Sequence, residues 1–410
     1  MNNSVVLAPL VSNCSYMSCH DFGDCNVVLS FSEEDAIGYL YSDLDKLYFT
    51  IILPILFALG VLSNVAFLLV IYNVKRMRTS TNYCLANLAV ADVLFLMGSV
   101  GSKLLKYANS PITIDDSSLG LAGCIAVYLI SDTAYLLSLA AITLVSFEKF
   151  YAVCSAYRAL GDSRRRVFVR LLVASWIVAF CVAVSFIPCI VDYVVVCSFW
   201  PPGDPFNSWP SEFAYCGPVG DWAILYGAGA QAIPFLLIFP INVYLYLRII
   251  VSITRAIKDT SIAGRKKKNI RQRNQIAIML IVNGAVFFIC LAPFEMISLF
   301  YMIAFAHNGE FILPEDTRQS LTSSAKVLAY LNAAVNPFVY TCMSAQYRDA
   351  FCQTFGIGRC SRSANGGETE RQPVFKRARQ MSSNLTASTS AGSSMKIYHT
   401  VRPTGSHRVY

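Results

Sequence analysis

The sequence has little charge. Only 14% of its 410 residues are Asp, Glu, Lys or Arg, where soluble domains carry roughly 25%. Histidine is scarcer still: His20, His307, His399 and His407 all fall outside the apolar stretches. No buried imidazole is therefore at hand for proton transfer or metal binding. No HExxH, phosphate-binding glycine loop or nucleophile elbow occurs, so no enzyme class with a recognisable motif is expected. No internal repeat relates one half of the chain to the other, as a secondary transporter would show. Residues 1–46 have no basic start followed by an apolar run, so no signal peptide is expected there. No nucleic-acid partner is expected either.

What the chain has instead is apolar length. Apolar residues make up 55% of it. Seven stretches reach the roughly 20 residues that a membrane-spanning helix needs: about 48–73, 82–105, 120–154, 167–191, 222–253, 275–305 and 321–343. They are apolar nearly all round, as helices in lipid are. The expected fold is an all-α membrane protein, a seven-helix transmembrane bundle over 47–355. An N-terminal segment, 1–46, precedes it and a polar tail, 356–410, follows it. Ala345-Gln346-Tyr347-Arg348-Asp349-Ala350-Phe351 reads as a short amphipathic eighth helix along the lipid surface.

Basic residues orient the bundle. Lys75, Arg76 and Arg78 follow the first span. Arg158, Arg164, Arg165 and Arg166 follow the third. Lys258, Arg265, Lys266, Lys267, Lys268, Arg271 and Arg273 follow the fifth. Loops rich in Lys and Arg stay in the cytoplasm, so the N-terminus is expected outside and the tail inside. The plasma membrane is the expected location. The outer side is acidic, with Asp21, Asp24, Glu33, Glu34, Asp35, Asp43, Asp45, Asp115, Asp116, Asp192, Asp204, Glu212, Asp221, Glu310, Glu315 and Asp316. Topology does not require that excess. It is either a plain solvated surface or a vestibule that concentrates a cationic ligand.

Cysteine adds to this. Cys14, Cys19, Cys25, Cys124, Cys197 and Cys216 fall outside, an even number in an oxidising space. A bridge from Cys124 to the second outer loop is expected. Cys197 is favoured over Cys216 because Cys216 lies next to the fifth span. Asn2 and Asn13 head glycosylation sequons on the outer side. Cys352 and Cys360 are placed for palmitoylation. The tail run 382–394 offers phosphate acceptors for a basic partner.

Polar groups within the spans are costly and are functional candidates by default. On helices of this length Asp92, Asn64, Ser138, Asn332 and Asn336 can share one level. A carboxylate among amide and hydroxyl oxygens suits a small hard cation such as Na⁺, and it suits a plain hydrogen-bonded cluster equally. No other cofactor is expected.

The seven spans also carry Gly60-Val61-Leu62-Ser63-Asn64, Asn87-Leu88-Ala89-Val90-Ala91-Asp92, Cys124, Glu148-Lys149-Phe150, Trp176, Cys290-Leu291-Ala292-Pro293-Phe294 and Asn336-Pro337-Phe338-Val339-Tyr340. In this order they resemble the rhodopsin-like G-protein-coupled receptors. The flanks 77–96 and 336–351 are similar to the neuropeptide receptors of the thyrotropin-releasing-hormone, neuromedin and somatostatin-like groups. The resemblance implies an outer ligand pocket and a sodium site at Asp92, Ser138, Asn332 and Asn336. It implies a signalling path through Glu148, Lys149, Phe287, Pro293, Asn336, Pro337 and Tyr340 to a heterotrimeric G protein, with arrestin and receptor kinases at the tail. Three positions depart from the pattern. Lys149 stands where arginine is usual, and lysine lacks arginine's planar fork of donors. Leu291 stands where tryptophan is usual. Arg273 stands where some members have an acid, and it would repel Lys149.

The outer third of the bundle holds four charges: Lys103, Asp132, Glu295 and Lys326. A retinal-binding lysine would sit where Tyr330 is, which excludes a light sensor. An amine receptor's aspartate would sit at Ser131. Asp132 and Glu295 suit the guanidinium or ammonium of a cationic neuropeptide, for instance one with an amidated end. Internal pairing with Lys326 is the competing reading. Phe199, Trp200, Phe206, Trp209 and Phe213 in the second outer loop serve either as ligand anchors or as loop packing. The expected function is a receptor for such a peptide. A peptide-binding receptor with weak or absent G-protein coupling, or one for a non-peptide ligand, is the alternative.

Overall fold

The computed structural model describes residues 25–154, 161–258, 264–306 and 314–356. Asn2, Asn13, Cys14, Cys19, Glu310, Cys360, the 382–394 run and the Arg273 side chain lie outside the described set.

Seven long helices form the bundle. They run Asp43–Asn73, Ser80–Asn109, Gly120–Cys154, Gly161–Ser185, Asp221–Lys258, Gly264–Ala306 and Glu315–Met343. The fourth ends earlier than its hydropathy suggests. Pro188 brings no N–H to continue the helix, and the chain tightens into a 3₁₀ turn at Ile187–Cys189. The third span is the hub, packing on the second, fourth, fifth and sixth. The seventh packs on the first and sixth, which closes the ring. Apolar side chains such as Leu62, Ile177, Leu237 and Ile289 face outward, as lipid-facing positions should.

The second span widens into a π-helical stretch at Leu96–Gly101. Gly98 there lies hard against Ser131 of the third span, and a side chain at 98 would collide with its hydroxyl. Local widening of this kind is common beside functional sites.

The last helix is Ala345–Phe355, four residues longer than expected. It is anchored by Tyr347 and Ala350, both buried. Arg348 donates to the carbonyls of Thr341 and Cys342, which satisfies the open carboxyl end of the seventh span.

The opposite end of the bundle holds an element that the helical reading missed. Val27–Ser30 (β1), Asp192–Phe199 (β2) and Glu212–Gly217 (β3) form one sheet in the order β1-β2-β3. β1 runs parallel to β2, with Val27 opposite Val196 and Ser30 opposite Phe199. β2 and β3 are antiparallel, with Asp192 opposite Gly217 and Cys197 opposite Glu212. Leu29, Phe31, Tyr39, Ile112, Val196, Phe206, Trp209 and Phe213 form a small core beneath it. Phe31 stacks on Trp200 at 4.6 Å between ring centroids. The N-terminal segment, the first loop of this end (between the second and third spans) and the second (between the fourth and fifth) thus make one cap. Trp200, Phe206, Trp209 and Phe213 are its filling, which favours loop packing over ligand capture. Only Phe199 is exposed, at 46%.

The sheet corrects the disulfide expectation. Cys124 at the head of the third span pairs with Cys216, not Cys197. Cys197 pairs with Cys25 beside β1. The strand order decides the choice: β2 is the central strand, so Cys197 faces the N-terminal segment, while β3 lies over the third span.

Asp115 and Asp116 also turn inward. Asp115 accepts from the backbone of Ser117 and Ala214, and Asp116 from that of Cys216. Asp116 further pairs with Lys106. These two acids fasten the first loop to β3 and are not part of an acidic vestibule.

Candidate functional site

Two of the expected residues, Asn336 and Ser138, reach Asp92. Asn336 Nδ2 donates to Asp92 Oδ2 at 2.7 Å, and Ser138 Oγ to Oδ1 at 3.4 Å. Three spans therefore meet on one carboxylate. Asn64 joins the first span to the seventh by donating to the carbonyls of Gly60 and Ala333, at 2.9 and 2.8 Å. Asn64 Oδ1, Asn332 Oδ1 and Asn336 Oδ1 are buried with no hydrogen bond. A buried carboxylate beside unsatisfied amide oxygens is the donor set a hard cation takes.

Towards the sheet end, Glu295 is 1% exposed and Asp132 is half-buried. Tyr135 Oη donates to Glu295 Oε1 at 2.7 Å. Glu295 Oε2 has no partner. The ion pairs among the described residues are Lys46–Asp43, Lys106–Asp116 and Lys149–Glu148. Asp132, Glu295, Lys103 and Lys326 enter none of them. Internal neutralisation by Lys326 is thus not made.

At the far end the charges are tied up. Lys149 Nζ meets Glu148 Oε2 at 2.9 Å and donates to Thr81 Oγ1 at 2.6 Å. Thr81 in turn donates to Glu148 at 2.9 Å. The result is a closed, buried triangle joining the second and third spans. Tyr340 is also buried, at 1%, between Phe67 and Tyr347. Its ring completes the core beside the eighth helix. Tyr347 donates to Asn82. Burial holds the Tyr347 phenol well above its ordinary pKa, so it stays a neutral donor.

Between these levels lies an apolar block. Phe287, Phe288 and Leu291 pack with Tyr135, Leu139, Ile142 and Phe235. Leu291 fills the position above Phe287 without a polar handle. Pro293 stands two residues beyond it, inside the sixth helix.

Trp176 of the fourth span donates to Asn87 Oδ1 at 2.7 Å and so fixes the second span against it. The sequence profile described as 7 transmembrane receptor (rhodopsin family) matches residues 63–340. The chain belongs to that family. It is a seven-transmembrane receptor of the G-protein-coupled class, not an enzyme. Curated relatives include the human Neuromedin-U receptor 2, 30% identical over 308 residues, which are 72% of this chain and 68% of that protein. The mouse Neuromedin-U receptor 1 is 27% identical over 74% of this chain and 72% of its own. The mouse Somatostatin receptor type 2 is 23% identical over 78% and 80%. The receptor therefore sits among neuropeptide receptors of the rhodopsin family.

Several working residues escaped sequence reasoning. Tyr135 holds Glu295, and Thr81 closes the triangle on Lys149. Tyr246 accepts from Ser146 Oγ at 3.1 Å and joins the fifth span to the third. It lies directly over Gly284 of the sixth, where any side chain would strike its ring. Asn242 donates to Thr143 at 3.0 Å between the same two spans as Tyr246 and Ser146. The available signal was a polar residue inside an apolar helix, which is the signal that singled out Asp92.

Proposed function

We propose that the receptor lies in the plasma membrane with the sheet end outside, and answers to an extracellular cationic neuropeptide. The signal passes inward to a heterotrimeric G protein. One observation carries the ligand's charge: Glu295 Oε2 is buried without a partner. A bare carboxylate at that depth is costly, and an arginine or lysine of a bound peptide would relieve it. The neuromedin-U and somatostatin receptors among its relatives support a peptide. Adding cationic peptides to cells that express the receptor should raise Ca²⁺ or change cAMP. Activation by acidic or lipid ligands alone would count against the reading.

The Asp92 level would hold Na⁺ through Asp92, Ser138, Asn332 and Asn336, and the ion would brace the second, third and seventh spans. Asp92→Asn should remove any sodium dependence of peptide affinity. Arrestin and receptor kinases would act on the Ser/Thr-rich tail. Glycans would sit on Asn2 and Asn13. Cys352 is disulfide-bonded in this structure. A reducing cytoplasm would return it to a thiol, and it and Cys360 would then accept palmitate. The Lys149–Glu148–Thr81 triangle favours a second reading, in which the peptide binds and coupling is weak. Nucleotide exchange on purified G protein separates the two.

A further inference from the structure

The outer third of the bundle is divided by sign. Asp132 and Glu295 lie on the third and sixth spans, and Tyr135, three residues after Asp132 on the third, hydrogen-bonds Glu295. Lys103 and Lys326 lie on the second and seventh spans. Each is half-buried, and both lie on the sheet side of the ring contact that joins their spans, Phe95 to Tyr330 at 5.8 Å between centroids. Lys106, three residues after Lys103, is committed to Asp116. Among the described residues, Lys103 and Lys326 make no ion pair or hydrogen bond.

Had the two poles been within reach, they would have paired. Two neighbouring ammonium groups without a counter-ion are unfavourable, and the cost grows as water is excluded. A ligand that neutralised only the acids would leave that cost in place.

We infer that the receptor's ligand is bipolar: alongside the cation for Glu295 it carries a carboxylate that seats between Lys103 and Lys326. The inference rests on the peptide reading above and narrows it. A peptide's carboxylates are its free C-terminus and its Asp or Glu side chains. The first excludes an amidated end and the second is compatible with one.

The test uses the full-length receptor purified in detergent and synthetic pentapeptides of apolar residues with one arginine. Each is made as the free acid, as the C-terminal amide, and as the amide with one glutamate. A fourth set replaces arginine by neutral citrulline. Affinity is read from thermal stabilisation of the receptor.

Free acids should bind at least about tenfold more tightly than amides. Recovery of affinity in the glutamate arm assigns the carboxylate to a side chain, and no recovery assigns it to the C-terminus. Lys103→Gln and Lys326→Gln should each shrink the acid preference to about twofold or less while leaving the arginine preference intact. Glu295→Gln should do the reverse. Amides that bind as well as acids would overturn the inference and leave the cationic reading standing. Citrulline peptides that bind as well as arginine ones, with the acid preference kept, would overturn the cationic reading and leave this one. A set in which nothing binds would overturn both. Where a lysine variant fails to fold, the acid-against-amide comparison in the natural receptor decides alone.

Discussion

The two ends of the bundle treat buried charge in opposite ways. At the far end, Lys149, Glu148 and Thr81 satisfy one another within 2.9 Å. At the sheet end, Glu295 keeps a bare oxygen, and Asp132, Lys103 and Lys326 enter no ion pair among the described residues. Both sets lie in spans of the same apolar character, so lipid depth does not explain the difference. A closed triangle is a latch: it is stable until something pulls the helices apart. Open charges are a docking site, stabilised when a partner of opposite sign arrives. The Asp92 cluster lies between the two. It is partly satisfied, and it binds the second, third and seventh spans into the unit that would carry movement from one end to the other.

The contrast can be broken hardest at the disulfide. Cys124→Ser should separate β3 from the third span and collapse the cap over the charged pocket. Surface expression should fall to a small fraction, since losing such a bridge costs about 2–5 kcal/mol. Cys25→Ser removes the tie between the N-terminal segment and β2 and should cost less, because the Cys124–Cys216 bridge still holds the sheet to the bundle. Surface labelling of intact cells ranks the two.

A smaller effect is expected at the sheet end. Glu295→Gln should weaken an activating cationic peptide by about 2 kcal/mol, roughly 30-fold, with surface level unchanged. Dose–response curves for Ca²⁺ measure it. Unchanged potency would remove Glu295 from the site.

At the far end, Thr81→Ala opens one corner of the triangle. Loss of one charge-assisted hydrogen bond, about 1.5–3 kcal/mol, should raise ligand-independent nucleotide exchange several-fold. Lys149→Arg restores a planar fork of donors and should increase peptide-driven exchange. The smallest change is expected from Trp176→Phe. It removes one hydrogen bond to Asn87, about 1 kcal/mol, and should lower the melting temperature without altering potency.

The bundle was readable because its signal is long. About 20 apolar residues in a row admit few other structures. The Asp92 level was readable because a carboxylate within such a run stands out. The sheet was not. Its strands are four to eight residues long, and β1 reaches its partner across more than 160 residues of chain. Val194-Val195-Val196 carried a strand propensity, but nothing local named its neighbours. The disulfide error follows from the same gap, since the choice between Cys197 and Cys216 is a question of strand order. Thr81 was missed for another reason. A hydroxyl in a helix can bond its own backbone, as Thr143 does to Leu139, so its presence does not reveal a distant partner.

The contrast between open and closed charge is tested most directly without any ligand. The melting temperature of the purified, peptide-free receptor is compared for the natural chain, Glu295→Gln and Lys149→Met. Glutamine at 295 keeps the acceptor for Tyr135 and removes an uncompensated charge, so the melting temperature should rise by a few degrees. Methionine at 149 strips Glu148 of its counter-charge, so it should fall. A fall in both would contradict the difference between the two ends.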